Sequence, residues 1–212
     1  MPHHLTLTSL PLFPLGTVLF PGGVMALQVF EVRYLDMVRK CQRAGAPFGI
    51  VSLRSGREVR RAGGPDEQFH DVGTLATITE MQTPQAGLIT LSCQGGQRFR
   101  ILRRTLLQYG LWVADVEHID DDLAVPIPPD LEPTAAALAK VLEVLRERDP
   151  ESPASVHPTH SQLADSGWVA NRWCELLPVP SELKQQLMEL DNPLVRLELV
   201  SDLLERTGIA PG

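Results

Sequence analysis

The chain has 212 residues, 43% of them hydrophobic and 21% charged, a composition that builds a buried core without disulfide or metal staples. Its 19 basic and 26 acidic side chains leave a formal net charge of −7, which makes nucleic acid a poor default partner. The three cysteines, Cys41, Cys93 and Cys174, are widely spaced with no C-x-x-C, which argues against a disulfide framework or a cysteine-rich zinc site.

Met1-Pro2-His3-His4 lacks the basic start and apolar run of a secretion signal, and no apolar stretch approaches the roughly 20 residues that span a membrane. A reducing cytoplasm is the expected compartment, with no membrane partner.

The first 120 or so residues read as mostly strand. Leu5-Thr6-Leu7-Thr8 alternates, residues 24–30 and 48–53 are short apolar runs, and residues 72–81 are rich in β-branched side chains. Residues 87–93 and 98–107 flank Gly95-Gly96 as two arms of a hairpin or as one bulged, bending strand. Residues 112–119 alternate again. Many short strands with Gly-rich turns predict a closed or half-closed β-barrel. One helix interrupts them, at residues 31–43, where Tyr34, Val38 and Cys41 recur at helical spacing and Gly45 supplies a stop. Glu31 suits the positive end of that helix, and Arg33 is placed to pair with a carboxylate across the barrel.

Asp120-Asp121-Asp122 and Pro126, Pro128 and Pro129 mark a change of composition, after which the apolar period becomes helical. Leu138, Val141, Leu142 and Leu145 form one stripe, ended by Asp149-Pro150. Leu163, Ala170, Trp173 and Leu177 form a second, and Leu183, Leu187 and Leu190 a third. Asn192-Pro193 reads as a helix start, Leu197, Val200 and Leu204 as its stripe and Gly208 as its end. The predicted organisation is a β-rich domain over residues 1–122 and a helical domain over residues 123–212.

An ordered set of motifs adds to this reading. It comprises Leu12-Phe13-Pro14-Leu15, Val18-Leu19-Phe20-Pro21-Gly22-Gly23, Val29-Phe30-Glu31-Val32-Arg33-Tyr34, Phe48-Gly49-Ile50-Val51, the Val72-Gly73-Thr74-Leu75 strand, Gly95-Gly96-Gln97-Arg98-Phe99 and Asp191-Asn192-Pro193-Leu194-Val195-Arg196. Together they resemble the amino-terminal substrate-binding domain of Lon-type ATP-dependent proteases. The resemblance implies an α+β fold: a PUA-like β pseudo-barrel with one helix, then a C-terminal α-helical bundle. It implies a non-catalytic protein- or peptide-binding module, with unfolded or peptide clients as ligands. A protease or chaperone is a candidate further partner, and a weak homodimer a candidate assembly. A full-length protease of this family continues into ATPase and Ser-Lys peptidase modules, whereas this sequence stops at Gly212 and is expected to be a stand-alone form. None of its three lysines, Lys40, Lys140 and Lys184, follows a glycine as a phosphate-binding loop requires, so no nucleotide cofactor is expected.

Other motifs have plainer readings. Ser181-Glu182-Leu183-Lys184 has the S-x-x-K spacing of some acyl-transfer enzymes, but Ser181 after Pro180 is expected to cap a helix. His157, His160 and Asp165 could suggest a metal, but Pro158 predicts a solvated loop, and no metal is expected. Arg54, Arg57, Arg60 and Arg61, with Arg98, Arg100, Arg103 and Arg104, are the feature that favours an alternative, an RNA- or small-ligand-binding role; Arg98 and Arg100 share a strand face. For peptide recognition the candidates are Phe20, Phe30 and Tyr34 in the signature motifs, and Trp168 beside the second helical stripe. No catalytic residue is assigned.

Overall fold

The computed structural model describes residues 5–56, 67–150 and 157–208. Arg57, Arg60 and Arg61 lie outside the described residues. The fold is mixed α+β, with six strands and six helices among the described residues, and the chain divides into two compact units, Met1–Asp121 and Asp122–Gly212.

The first unit is built from β1 (Thr6–Leu15), β2 (Val24–Val29), α1 (Val32–Ala44), β3 (Phe48–Ser55), β4 (Gln68–Gln85), β5 (Leu88–Leu106) and β6 (Trp112–His118). The sheet order is β2-β5-β4-β3-β1-β6, and β6 also pairs with β5. That last pairing closes β5, β4, β3, β1 and β6 into a ring and leaves β2 outside it. β1 and β3 run parallel, Leu12 opposite Gly49, because β2 and α1 supply the long crossover that parallel strands need. All other pairings are antiparallel.

Ring and extension both depend on β5. Residues 89–94 pair with β2 and residues 99–106 with β6, while β4 follows β5 along most of its length. Between the two halves, the Gly22 N–H donates to the Gly95 carbonyl at 2.8 Å and the Gly95 N–H to the Gly23 carbonyl at 2.7 Å. A Cβ on Gly95 would stand 2.3 Å from the Phe20 carbonyl oxygen, closer than any real contact, so only glycine permits this crossing. Of the two expected arrangements for this stretch, the continuous bending strand is the one formed.

The helix α1 lays Tyr34, Leu35, Met37, Val38 and Cys41 against the sheet. They join Phe13, Leu19, Val29, Phe48, Ile89 and Leu91 in one buried cluster, with Phe13 stacked on Tyr34 at 4.1 Å. A second cluster gathers Leu12, Val51, Phe69, Phe99 and Val116. Gly45, at φ +59°, ends the helix in the left-handed conformation that lets its N–H reach back to the last turn.

The second unit contains α2 (Glu132–Arg148), α3 (His160–Leu163), α4 (Ser166–Leu176), α5 (Ser181–Glu189) and α6 (Pro193–Thr207). The other four all contact α4. The expected stripe from Leu163 to Leu177 is two helices, because the Asp165 carboxylate accepts from the Trp168 N–H at 2.7 Å and starts α4 afresh. Ser181 was expected to cap α5, but Pro180 takes the capping position and Ser181 is the first helical residue. Asn192 caps α6 as its sequence predicts, accepting from the N–H groups of Leu194 and Val195, with Pro193 at the first position and Gly208 at φ +72° after the last turn.

One buried cation organises this unit. Arg196, 1% exposed, donates from Nε to the Leu187 carbonyl at 2.9 Å, from Nη1 to Asn171 at 3.1 Å and to Asp122, and from Nη2 to the Leu190 carbonyl. Its planar fork therefore joins α6 to α4, to the end of α5 and to the start of the unit.

Two outcomes follow. Gly95→Ala is expected to lose at least about 2 kcal/mol in urea unfolding, since the collision is with backbone that cannot rotate away. Arg196→Met is expected to lose about 3 kcal/mol, and Arg196→Lys to restore little of it, because an ammonium cannot present the fork to four acceptors.

Candidate protein-binding surface

Most large apolar side chains of the first unit are buried, so the exceptions are informative. Phe30 and Val32, at the entry to α1, are 54% and 74% exposed, and Leu107 and Tyr109, in the β5–β6 turn, are 43% and 85% exposed. The turn is tight: Leu107 N–H donates to the Leu111 carbonyl and Gly110 N–H to the Leu107 carbonyl, each at 2.8 Å, and Gly110 adopts φ +79°. It projects Tyr109 outward.

Arg33 ties these two segments together. Its Nη1 donates to the Gly110 carbonyl at 2.7 Å and its Nη2 to Glu67 Oε1 at 2.9 Å, with Glu31 at 3.2 Å. Trp112 Nε1–H donates to the other Glu67 oxygen at 3.2 Å, and the guanidinium lies 4.5 Å from the centre of the Tyr34 ring. The expected partnership of Arg33 with a carboxylate is thus made, by Glu67. Burial opposes the Arg33 charge, but Tyr34, the Glu67 hydrogen bond and the nearby carboxylates outweigh it, and its pKa is raised. Burial likewise opposes the Glu67 charge, yet its hydrogen bonds and the Arg33 cation hold this carboxyl below its ordinary range. Two exposed apolar segments are therefore fixed by a half-hidden ionic pair, a rigid way of presenting greasy side chains to water.

The four sequence candidates separate. Phe20 is fully buried and Tyr34 is stacked under Phe13, so neither offers surface to a ligand in this structure. Phe30 is exposed. Trp168 is half-buried on α4 in the second unit, with the Arg172 guanidinium 5.8 Å from its ring centre. Val32, Leu107 and Tyr109 were not among the candidates. Val32 lies within a quoted motif, and an aromatic beside Gly110 between two strands was the available signal for the turn.

Several other chemistry-bearing groups among the described residues have structural surroundings. Cys41, Cys93 and Cys174 are buried free thiols, and burial pushes Cys93 and Cys174 up to about 12, far from a reactive thiolate. Lys184 Nζ donates to the Glu175 carbonyl at 3.0 Å. Arg146 lies 3.2 Å from His157 Nδ1, His160 opens α3, and Asp165 caps α4; among the described residues no group of three or more His, Cys, Asp or Glu could hold a metal ion. No helix among the described residues is long and apolar enough to cross a membrane.

The arginine clusters resolve mainly into pairs. Arg103 meets Asp115 at 2.8 Å, Arg104 meets Asp71 at 3.6 Å and covers the Phe69 ring, and Arg54 donates to His70 at 3.2 Å. Arg98 and Arg100 share a strand but not an environment: Arg98 is buried beneath the Asp120 carbonyl, while Arg100 is exposed opposite Glu117. Of the described members, Arg103 and Arg104 are thus ion-paired.

Against known families, residues 9–206 match the ATP-dependent protease La (LON) substrate-binding domain. The chain belongs to that family. Among curated relatives, it is 30% identical over 199 residues to the Lon protease of Anaeromyxobacter dehalogenans and 28% identical over 199 residues to Lon protease 2 of Myxococcus xanthus. In each case the alignment covers 93% of this chain and 23% of the relative, so the chain spans about a quarter of their length. Among solved structures, a Lon N-terminal domain protein from Xanthomonas campestris is similar at 33% identity and a TM-score of 0.66, covering 92% of this chain and 97% of that one. The N-terminal domain of a Mycobacterium avium complex Lon protease, at 18% identity and a TM-score of 0.57, shares the fold. The matched family model is that of the substrate-binding domain, with no ATPase or peptidase module.

Arg33→Met tests the tie directly. It is expected to lose about 3 kcal/mol of stability and to speed amide exchange across residues 107–111. The pH dependence has a defined sign. Because the Glu67 pKa is lowered on folding from an ordinary value of 4.5, its contribution is present above that value and lost as the pH falls through the folded one. The variant should flatten that acid limb in urea titrations.

Proposed function

We propose that this chain is a non-catalytic module that binds unfolded or peptide segments of client proteins, acting as an adaptor or regulator of proteolysis. One observation carries the reading: a member of the Lon substrate-binding family holds Phe30, Val32, Leu107 and Tyr109 in water on two segments joined by Arg33. Single exposed apolar side chains are ordinary, but apolar side chains gathered on neighbouring segments mark interaction sites. In this reading the first unit is a PUA-like pseudo-barrel that carries the recognition surface, the second is a helical bundle, and their boundary lies near residue 122. Three buried free thiols support a reducing, cytoplasmic setting. The pairing of Arg103 and Arg104 with carboxylates weighs against the RNA alternative.

Fluorescence anisotropy with labelled, reduced and carboxymethylated α-lactalbumin, a permanently unfolded chain, tests the proposal. Binding is expected with a Kd on the order of tens of micromolar. The double variant Val32→Ser, Tyr109→Ser should bind about tenfold more weakly while unfolding normally in urea. No binding at hundreds of micromolar would sink the reading, and equal binding by the variant would remove this surface from it.

A further inference from the structure

Where the ring closes, its strands have neighbours on both sides. The three-stranded extension β2-β5-β4 does not close, so it presents two outer edges. The edge along residues 77–85 of β4 carries Glu80 and Pro84, the kind of charge and proline that discourage a further strand. β2, Val-Met-Ala-Leu-Gln-Val, carries neither charge nor proline. It pairs with β5 on one side, and no strand among the described residues pairs with the other.

The faces of β2 are also unfinished. Val29 is buried in the α1 cluster, but Met25 and Leu27 are only partly buried against it, so the core thins out at this edge rather than ending behind a cover. Ala26 and Gln28 border an open groove of about 300 Å³ that Thr90 and Ser92 of β5 and Glu80 and Gln82 of β4 also line. Immediately beyond the strand come the exposed Phe30 and Val32. A row of outward backbone N–H and C=O groups is matched in full only by another extended chain, and apolar side chains at alternate positions of that chain would extend the layer that Met25 and Leu27 leave open.

We propose that the outer edge of β2 accepts an extended segment of an unfolded client polypeptide as an added strand, with alternate apolar side chains seated against Met25 and Leu27. The proposal rests on the binding-module reading above and names its mode of recognition. Main-chain pairing explains how one surface could take many sequences: the backbone supplies affinity and the alternate side chains supply preference.

The probe is a short synthetic peptide of alternating valine and threonine flanked by lysines, with two twins N-methylated at alternate backbone nitrogens in either register. Amide exchange of the whole chain is followed with and without each peptide and with unfolded α-lactalbumin. The parent peptide and the unfolded protein should slow exchange at alternate residues of 24–29 about tenfold or more. One twin should lose binding and the other keep it, because only one register of amides faces the edge. Binding of either probe with unchanged exchange at 24–29, or equal binding by both twins, overturns the edge proposal and leaves the binding-module reading standing. Exchange at 24–29 that is slow in the free protein and slows further with its concentration assigns the edge to a second copy, which also overturns it. Failure of both the parent peptide and unfolded α-lactalbumin to bind removes both readings.

Discussion

β5 passes the Phe20 carbonyl at Gly95 with no room for a side chain, and both the closed ring and its open extension follow from that passage. A strand that paired with the same neighbour throughout would leave an ordinary open sheet. Here the first half serves β2 and the second half serves β6, so one continuous strand belongs to two arrangements. Closure removes edges where it occurs and leaves two on the extension, at β2 and along residues 77–85 of β4. The same passage holds the Phe20-Pro21-Gly22-Gly23 loop, which leads into β2, through paired backbone bonds to Gly95.

Each unit also relies on a buried arginine that meets several elements at once. Arg33 binds a turn carbonyl and the Glu67 carboxylate, and Arg196 binds two helix-end carbonyls, Asn171 and Asp122. Removing a guanidinium from water is costly, so such a group persists where its donors are matched by several acceptors. The gain is positional. Arg33 fixes the entry of α1 against the β5–β6 turn, two of the places where large apolar side chains remain exposed.

Much of this was legible wherever local chemistry decides. The apolar face of α1, its stop at Gly45, and the start of α6 at Asn192-Pro193 are properties of a few adjacent residues. The pairing of Arg33 with a carboxylate was expected, though not which one, because Glu67 is distant in sequence and is brought up by the fold. The break at Asp165 was hidden because an apolar stripe can continue in phase across two helices. Ser181 looked like a cap because Pro180 precedes it, yet the proline itself takes the capping position. Phe20 and Phe30 were indistinguishable as residue types; one faces the crossing at β5 and is fully buried, and the other ends an edge strand and meets water. Tyr109 belongs to no motif, and its exposure depends on a turn held from afar by Arg33.

Membership of the Lon substrate-binding family supports a substrate-binding module. The central claim is that its binding surface lies on the first unit, along β2 and the segments that Arg33 joins. Amide chemical-shift mapping of the intact chain during titration with a permanently unfolded protein tests it most directly. Saturable shifts are expected to concentrate at residues 24–32 and 107–111. Shifts confined to residues 122–208, or none at concentrations where a client binds, would contradict it.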